Sequence, residues 1–90
     1  MKLNEKCMKD ILEYVVKNGD ITDNGVYCGC KITEMQEHFK SQYKLKETAY
    51  AINKLIELEY ITTNMSEKSW NSMHRIEDIT YAGHKFLENN

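Results

Sequence analysis

The sequence predicts an α+β winged-helix fold: a helix-turn-helix followed by a two- or three-stranded β-wing and a closing C-terminal helix. Two short helical patterns separated by a brief turn come after a longer amphipathic helix. Two β-prone stretches then flank a polar, turn-rich segment, and a Thr introduces a last amphipathic run. Residues 1–90 are long enough for one domain, near the lower limit for a core that folds alone. The hydrophobic fraction of 41% is too high for a disordered tail.

Asn4 is a suitable N-cap for a first helix running to Asn18. Cys7, Met8, Ile11, Leu12, Val15 and Val16 follow the 3–4 spacing of one buried face, and Asn18-Gly19 supplies a stop. In the stretch 19–31, Asn24-Gly25 signals a tight turn and Val26-Tyr27 a short strand. Thr33-Glu34-Met35-Gln36 has the form of a capping box, opening a short helix that buries Met35 and Phe39 and ends near Lys40. After a turn over 41–45, a third helix is expected from Lys46 to Glu59. Ala49, Ile52, Leu55, Ile56 and Glu59 share its inner face, with Lys46, Glu47, Tyr50, Asn53, Lys54 and Glu57 mostly opposite.

Residues 60–63 and 75–80 read as the two wing strands, although Ile76 and Ile79 alternate only loosely. Thr80 can cap a last helix from Tyr81 to Glu88 that buries Phe86 and Leu87. Gly83 falls in its first turn. Since Gly destabilises a helix by about 1 kcal/mol relative to Ala, a close backbone approach is the expected reason for it.

Three stretches together carry a family resemblance: KLNEKCMKDIL (2–12), AINKLIELEYI (51–61) and DITYAGHKFLE (78–88). With them the chain resembles the domain-of-unknown-function family numbered 2513, found in bacteria and their phages. The match runs nearly end to end, apart from residues 19–31 and the wing tip. The Thr-x-x-Gly-His-x-Phe-Leu ending is its most specific part, and Thr-x-x-Gly leading into a last helix is common in winged-helix regulators. The resemblance implies that fold and a phage-related or mobile-element setting. It brings no established activity.

Charge and chemistry narrow the function classes. The formal net charge is −2, unlike a strongly electrostatic DNA binder. Within 40–54, however, Lys40, Lys44, Lys46 and Lys54 face only Glu47. A helix-turn-helix would present Lys46, Tyr50, Asn53 and Lys54 to the major groove of double-stranded DNA. Asn can read adenine, Lys can reach guanine or phosphate, and Tyr can bond phosphate. Lys40 and Lys44 flank the turn, where phosphates would pass, and Lys68, Trp70 and Arg75 are the corresponding wing residues. The same surface fits a second class, a protein-protein interaction adaptor, because Tyr14, Tyr27, Tyr43, Trp70 and Tyr81 are anchors of the type that interfaces favour.

No catalytic constellation accompanies His38, His74 or His84, so the chain reads as non-enzymatic and without a cofactor. Cys28-Gly29-Cys30 is too closely spaced for the usual zinc pair and has no second pair, so no metal is expected. Three cysteines with no apolar leader suggest reduced thiols in a cytoplasmic setting. No run is long enough to span a membrane. A homodimer joined through the first and last helices would leave the third free for paired half-sites.

Overall fold

The structure, a computed structural model, describes residues 1–65, 70–71 and 73–89. The described chain is α+β. Four helices are α1 (Glu5–Asn18), α2 (Ile32–His38), α3 (Leu45–Glu57) and α4 (Tyr81–Asn89). Five short strands are β1 (Asp20–Ile21), β2 (Tyr27–Cys28), β3 (Cys30–Lys31), β4 (Ile61–Thr63) and β5 (Arg75–Ile79). They form two antiparallel sheets, β1-β2 and β3-β5-β4, so β3, the last of the three strands between α1 and α2 in sequence, closes on β5.

α1 starts as its sequence dictates, with the Asn4 side chain accepting the Cys7 N–H at 3.0 Å. Cys7, Met8, Ile11, Leu12 and Val15 are all fully enclosed. Val16, expected on that face, is instead 48% exposed, because at 100° per residue it falls well off the centre of the stripe. Against α1 pack Ile32, Met35 and Phe39 of the α2 region, Ala51, Ile52 and Leu55 of α3, and Ile61, Ile76 and Ile79 of the sheet.

The hairpin β1-β2 turns at Asn24-Gly25, where Gly25 takes φ +83°, and its Tyr27 hydroxyl donates to the Val15 carbonyl at 3.1 Å. The β4-β5 pair explains the loose alternation of Ile76 and Ile79. Strict alternation would put residues three apart on opposite faces. A register shift sets Thr62 against Asp78 but Thr63 against Ile76, which leaves Glu77 as the extra residue and returns both isoleucines to the core.

Two sequence expectations are corrected in the helices. The capping box at Thr33 does not form: α2 begins at Ile32 with Lys31 at the N-cap and no side-chain cap. Gln36 is buried and bonded elsewhere. α3 ends at Glu57 rather than Glu59, and its buried face is Thr48, Ala51, Ile52 and Leu55, with Ala49 and Ile56 only half-buried.

Its end is a Schellman turn in which Tyr60 N–H reaches the Leu55 carbonyl (2.9 Å) and Glu59 N–H the Ile56 carbonyl (3.0 Å). Glu59 takes the left-handed position, at φ 59°. The exposed carbonyls there are claimed by the next element. Thr80 Oγ1 donates to the Glu59 carbonyl at 2.6 Å and accepts the Gly83 N–H at 3.1 Å, while Thr80 N–H donates to the Tyr60 carbonyl at 2.9 Å. The expected close approach at Gly83 is present, since a Cβ there would lie 2.3 Å from the Tyr60 carbonyl oxygen. Phe86 stacks on Tyr60 at 5.1 Å and, like Leu87, is half-buried rather than enclosed.

Three substitutions test this joint by chemical denaturation. Thr80→Ala loses a cap and a carbonyl partner and should destabilise by about 1–2 kcal/mol. Gly83→Ala should also destabilise, although Ala is the better helix former by about 1 kcal/mol, because the methyl meets backbone that cannot withdraw. Glu59→Gly should stabilise by up to about 1 kcal/mol by relieving the left-handed conformation.

Candidate nucleic-acid interface

α3 is positioned from both ends and from beneath. Its C-terminal end is fixed at Thr80. At the other end, the chain between α2 and α3 turns on the Phe39 carbonyl, which accepts N–H bonds from Gln42 and Tyr43, both at 2.9 Å. Tyr43 ties this turn to α1, donating its hydroxyl to Asp10 at 2.6 Å, with Lys6 approaching the same oxygen at 3.4 Å. Burial first, and then the bond to Asp10, raise the Tyr43 phenol above its ordinary pKa. Glu47 caps the first turn of α3 by accepting the Lys44 N–H at 3.0 Å.

Beneath α3 runs a polar chain that sequence reasoning missed. The buried Gln36 donates from Nε2 to Thr48 Oγ1 (3.1 Å), and Thr48 donates to the Leu45 carbonyl (2.9 Å). Trp70 donates from Nε1 to Gln36 Oε1 (3.1 Å). Among the described residues each buried side-chain polar atom therefore has a partner, which removes the penalty of enclosing it. The residues are 12 and 34 positions apart, so no local pattern could announce them.

The outward face of α3 carries Lys46, Tyr50 and Asn53. Lys46 is exposed, Tyr50 and Asn53 half-exposed, and the side chains of Lys46 and Asn53 have no hydrogen-bond or ion-pair partner among the described residues. Lys54 lies at the flank, paired with Glu57 at 2.7 Å and set over the Tyr50 ring at 5.2 Å. Lys44 is exposed at the N-cap. Lys40 is exposed and paired with Glu37 one turn back.

The expected wing residues are placed differently from one another. Trp70 packs against the core and is bonded to Gln36. Arg75 starts β5 and donates to the Gly29 carbonyl, which pins the β2-β3 corner to the sheet. Lys68 lies outside the described residues. The structure thus brings Lys46, Tyr50, Asn53 and Lys54 together on α3 with Lys44 at its N-cap, while Trp70 and Arg75 hold neighbouring segments in place.

The sulfur and imidazole groups stay apart. Cys7 is enclosed and its thiol is pushed up to about 11, mainly by burial. Burial raises Cys30 as well, partly opposed by Arg75, whereas Cys28 is exposed. Among the described residues no group of three or more His, Cys, Asp or Glu side chains is placed to hold a metal ion. His38 packs its ring on Tyr14 at 4.9 Å, and His74 Nδ1 accepts the Asn71 N–H. No described helix is long and apolar enough to cross a membrane.

Comparison of the chain with protein-family models, with curated proteins and with solved structures yields no match in any of the three.

Two measurements check this geometry. At mildly alkaline pH the native protein should show roughly one fast-reacting thiol, Cys28, with Cys7 and Cys30 modified only on unfolding. A second fast thiol in the native state would contradict the burial of that pair. Gln36→Leu should destabilise by about 1–3 kcal/mol in denaturant titrations, because it leaves the Trp70 N–H without its acceptor.

Proposed function

We propose that the chain is a winged-helix domain that binds double-stranded DNA without catalysis, with α3 as the helix laid in the major groove. The observation that carries the reading is the face of α3 itself. Lys46, Tyr50 and Asn53 stand open on one side of a helix whose other side, Thr48-Ala51-Ile52-Leu55, is buried. The fold assignment is supported by the order of elements, a short helix and tight turn before α3 and a β3-β5-β4 sheet after it. It also accords with the sequence resemblance to the 2513 family and its phage-related setting.

The roles follow from residue chemistry. Asn53 is suited to a bidentate contact with an adenine edge, Lys46 to guanine or phosphate, and Tyr50 to phosphate. Lys40 and Lys44 lie beside the approach to the helix. A homodimer would offer two such helices to paired half-sites. Val16 of α1 and Tyr81 of α4, 48% and 77% exposed, are apolar groups left open to a second copy on the two helices expected to pair.

A protein partner is the second reading. It is favoured by the pairing of Lys40 and Lys54 with glutamates and by Leu45, 66% exposed beside Lys46.

Fluorescence anisotropy with random-sequence duplex DNA decides between the two. Binding is expected at low salt, with an affinity that falls as salt rises. No binding at ~100 μM protein in ~50 mM salt would be weaker than ordinary non-specific association and would leave the protein-partner reading. Lys46→Ala should weaken binding to all sequences. Asn53→Ala should reduce affinity by roughly 1–3 kcal/mol on a preferred site and much less elsewhere. Both variants should keep the wild-type melting temperature, because neither side chain is buried. Sedimentation at high micromolar concentration should report a dimer, and a clean monomer there would refute the pairing.

A further inference from the structure

We infer that the segment preceding α1 is a second DNA contact, in which Lys2 and Tyr50 bracket a backbone phosphate of the duplex that α3 enters. The inference rests on the DNA reading above and adds to it an element outside the helix-turn-helix.

The segment lies along α3 rather than away from it. Asn4 caps α1 through the Cys7 N–H, which fixes where the preceding residues leave the helix. Met1, Lys2 and Asn4 then line a groove of about 190 Å³ with Glu47, Tyr50 and Ala51 of α3. Ala51 is buried, and its small side chain leaves the depression open between the two walls.

Position decides what such a groove meets. A helix in the major groove turns its outward face to base edges, while the phosphate backbones pass along its flanks. Lys46 and Asn53 are on the outward face. Glu47, Ala51 and Lys54 are on the flank that borders the N-terminal segment, with Tyr50 at the boundary between them. Lys2 is therefore beside the helix, where a phosphate runs.

Charge points the same way. Within α3, Lys46 and Lys54 are matched by Glu47 and Glu57, so the helix alone brings no net attraction for a polyanion. Glu47 on the groove wall already accepts the Lys44 N–H, and Lys54 is held over Tyr50. Lys2 is exposed and has no ion-pair partner among the described residues, and it adds a positive charge beside a helix whose own charges balance. The side chain of Lys2, the hydroxyl of Tyr50 and the flanking Lys54 supply donors suited to a phosphodiester.

Salt titrations of random-sequence duplex DNA binding, read by anisotropy, test the inference with the wild-type chain, Lys2→Ala and Lys17→Ala. Lys17 is exposed in the last turn of α1, at the opposite end of that helix from Lys2, and its removal deletes the same charge. Lys2→Ala should flatten the dependence of log K on log salt by about 0.9, the loss of one phosphate contact, while Lys17→Ala leaves the slope at the wild-type value. An unchanged slope for Lys2→Ala, or an equal change in both variants, overturns the inference while the DNA reading stands. Absence of binding by the wild-type protein overturns both.

Discussion

One residue, Thr80, ties the end of α3 to the strands and to α4. Thr80 donates to the last turn beyond α3, accepts from the first turn of α4, and through its own N–H holds Tyr60, the residue just before β4. Both roots of the β4-β5 hairpin and the ends of two helices therefore meet within a few ångströms. The orientation of α3 against the sheet is set there, and with it the direction in which Lys46, Tyr50 and Asn53 point. The glycine three residues on follows from the same contact: the α4 backbone approaches the Tyr60 carbonyl so closely that no side chain fits between them.

The opposite end of α3 is held by a different kind of chemistry. There the otherwise apolar core encloses two polar groups, Gln36 and Thr48. A buried amide is tolerable only when both of its ends are bonded, and Gln36 meets that condition by reaching α3 with one end and Trp70 with the other. This requirement is directional in a way that apolar packing is not. An Ile in the same place would make no such demand on Trp70, whereas the amide favours the placement that brings the indole N–H to it.

How much of this was legible in the sequence depended on how far apart the interacting residues lie. The buried stripe of α1, its Asn4 cap, the Thr80 cap and the close approach at Gly83 all follow from patterns within a few residues, and the structure contains each of them. Strands of two residues such as β3 have no periodicity to read, and the Glu77 bulge hid the alternation of β5. Gln36 was misread because Thr33-x-x-Gln36 satisfies a local capping pattern, while its actual partners are distant.

The candidate surface divides in the same way. The outward placement of Lys46, Tyr50 and Asn53 was readable from helical period alone. The partners of Trp70 and Arg75 lie 34 and 46 residues away in the chain and could emerge only from the folded arrangement. Lys2 went unnoticed because its neighbour across the groove, Tyr50, is more than half the chain away.

The docking of Trp70 has an optical consequence. It is the only tryptophan in the chain, so the indole emission comes from one place, the contact of Trp70 with Gln36 and the core. Its colour and intensity depend on whether the ring is seated against the core or turned to water. The molecule thus contains its own probe of that contact, one that needs no attached dye. It can separate local release of Trp70 from loss of the whole fold, since far-ultraviolet dichroism follows the helices independently.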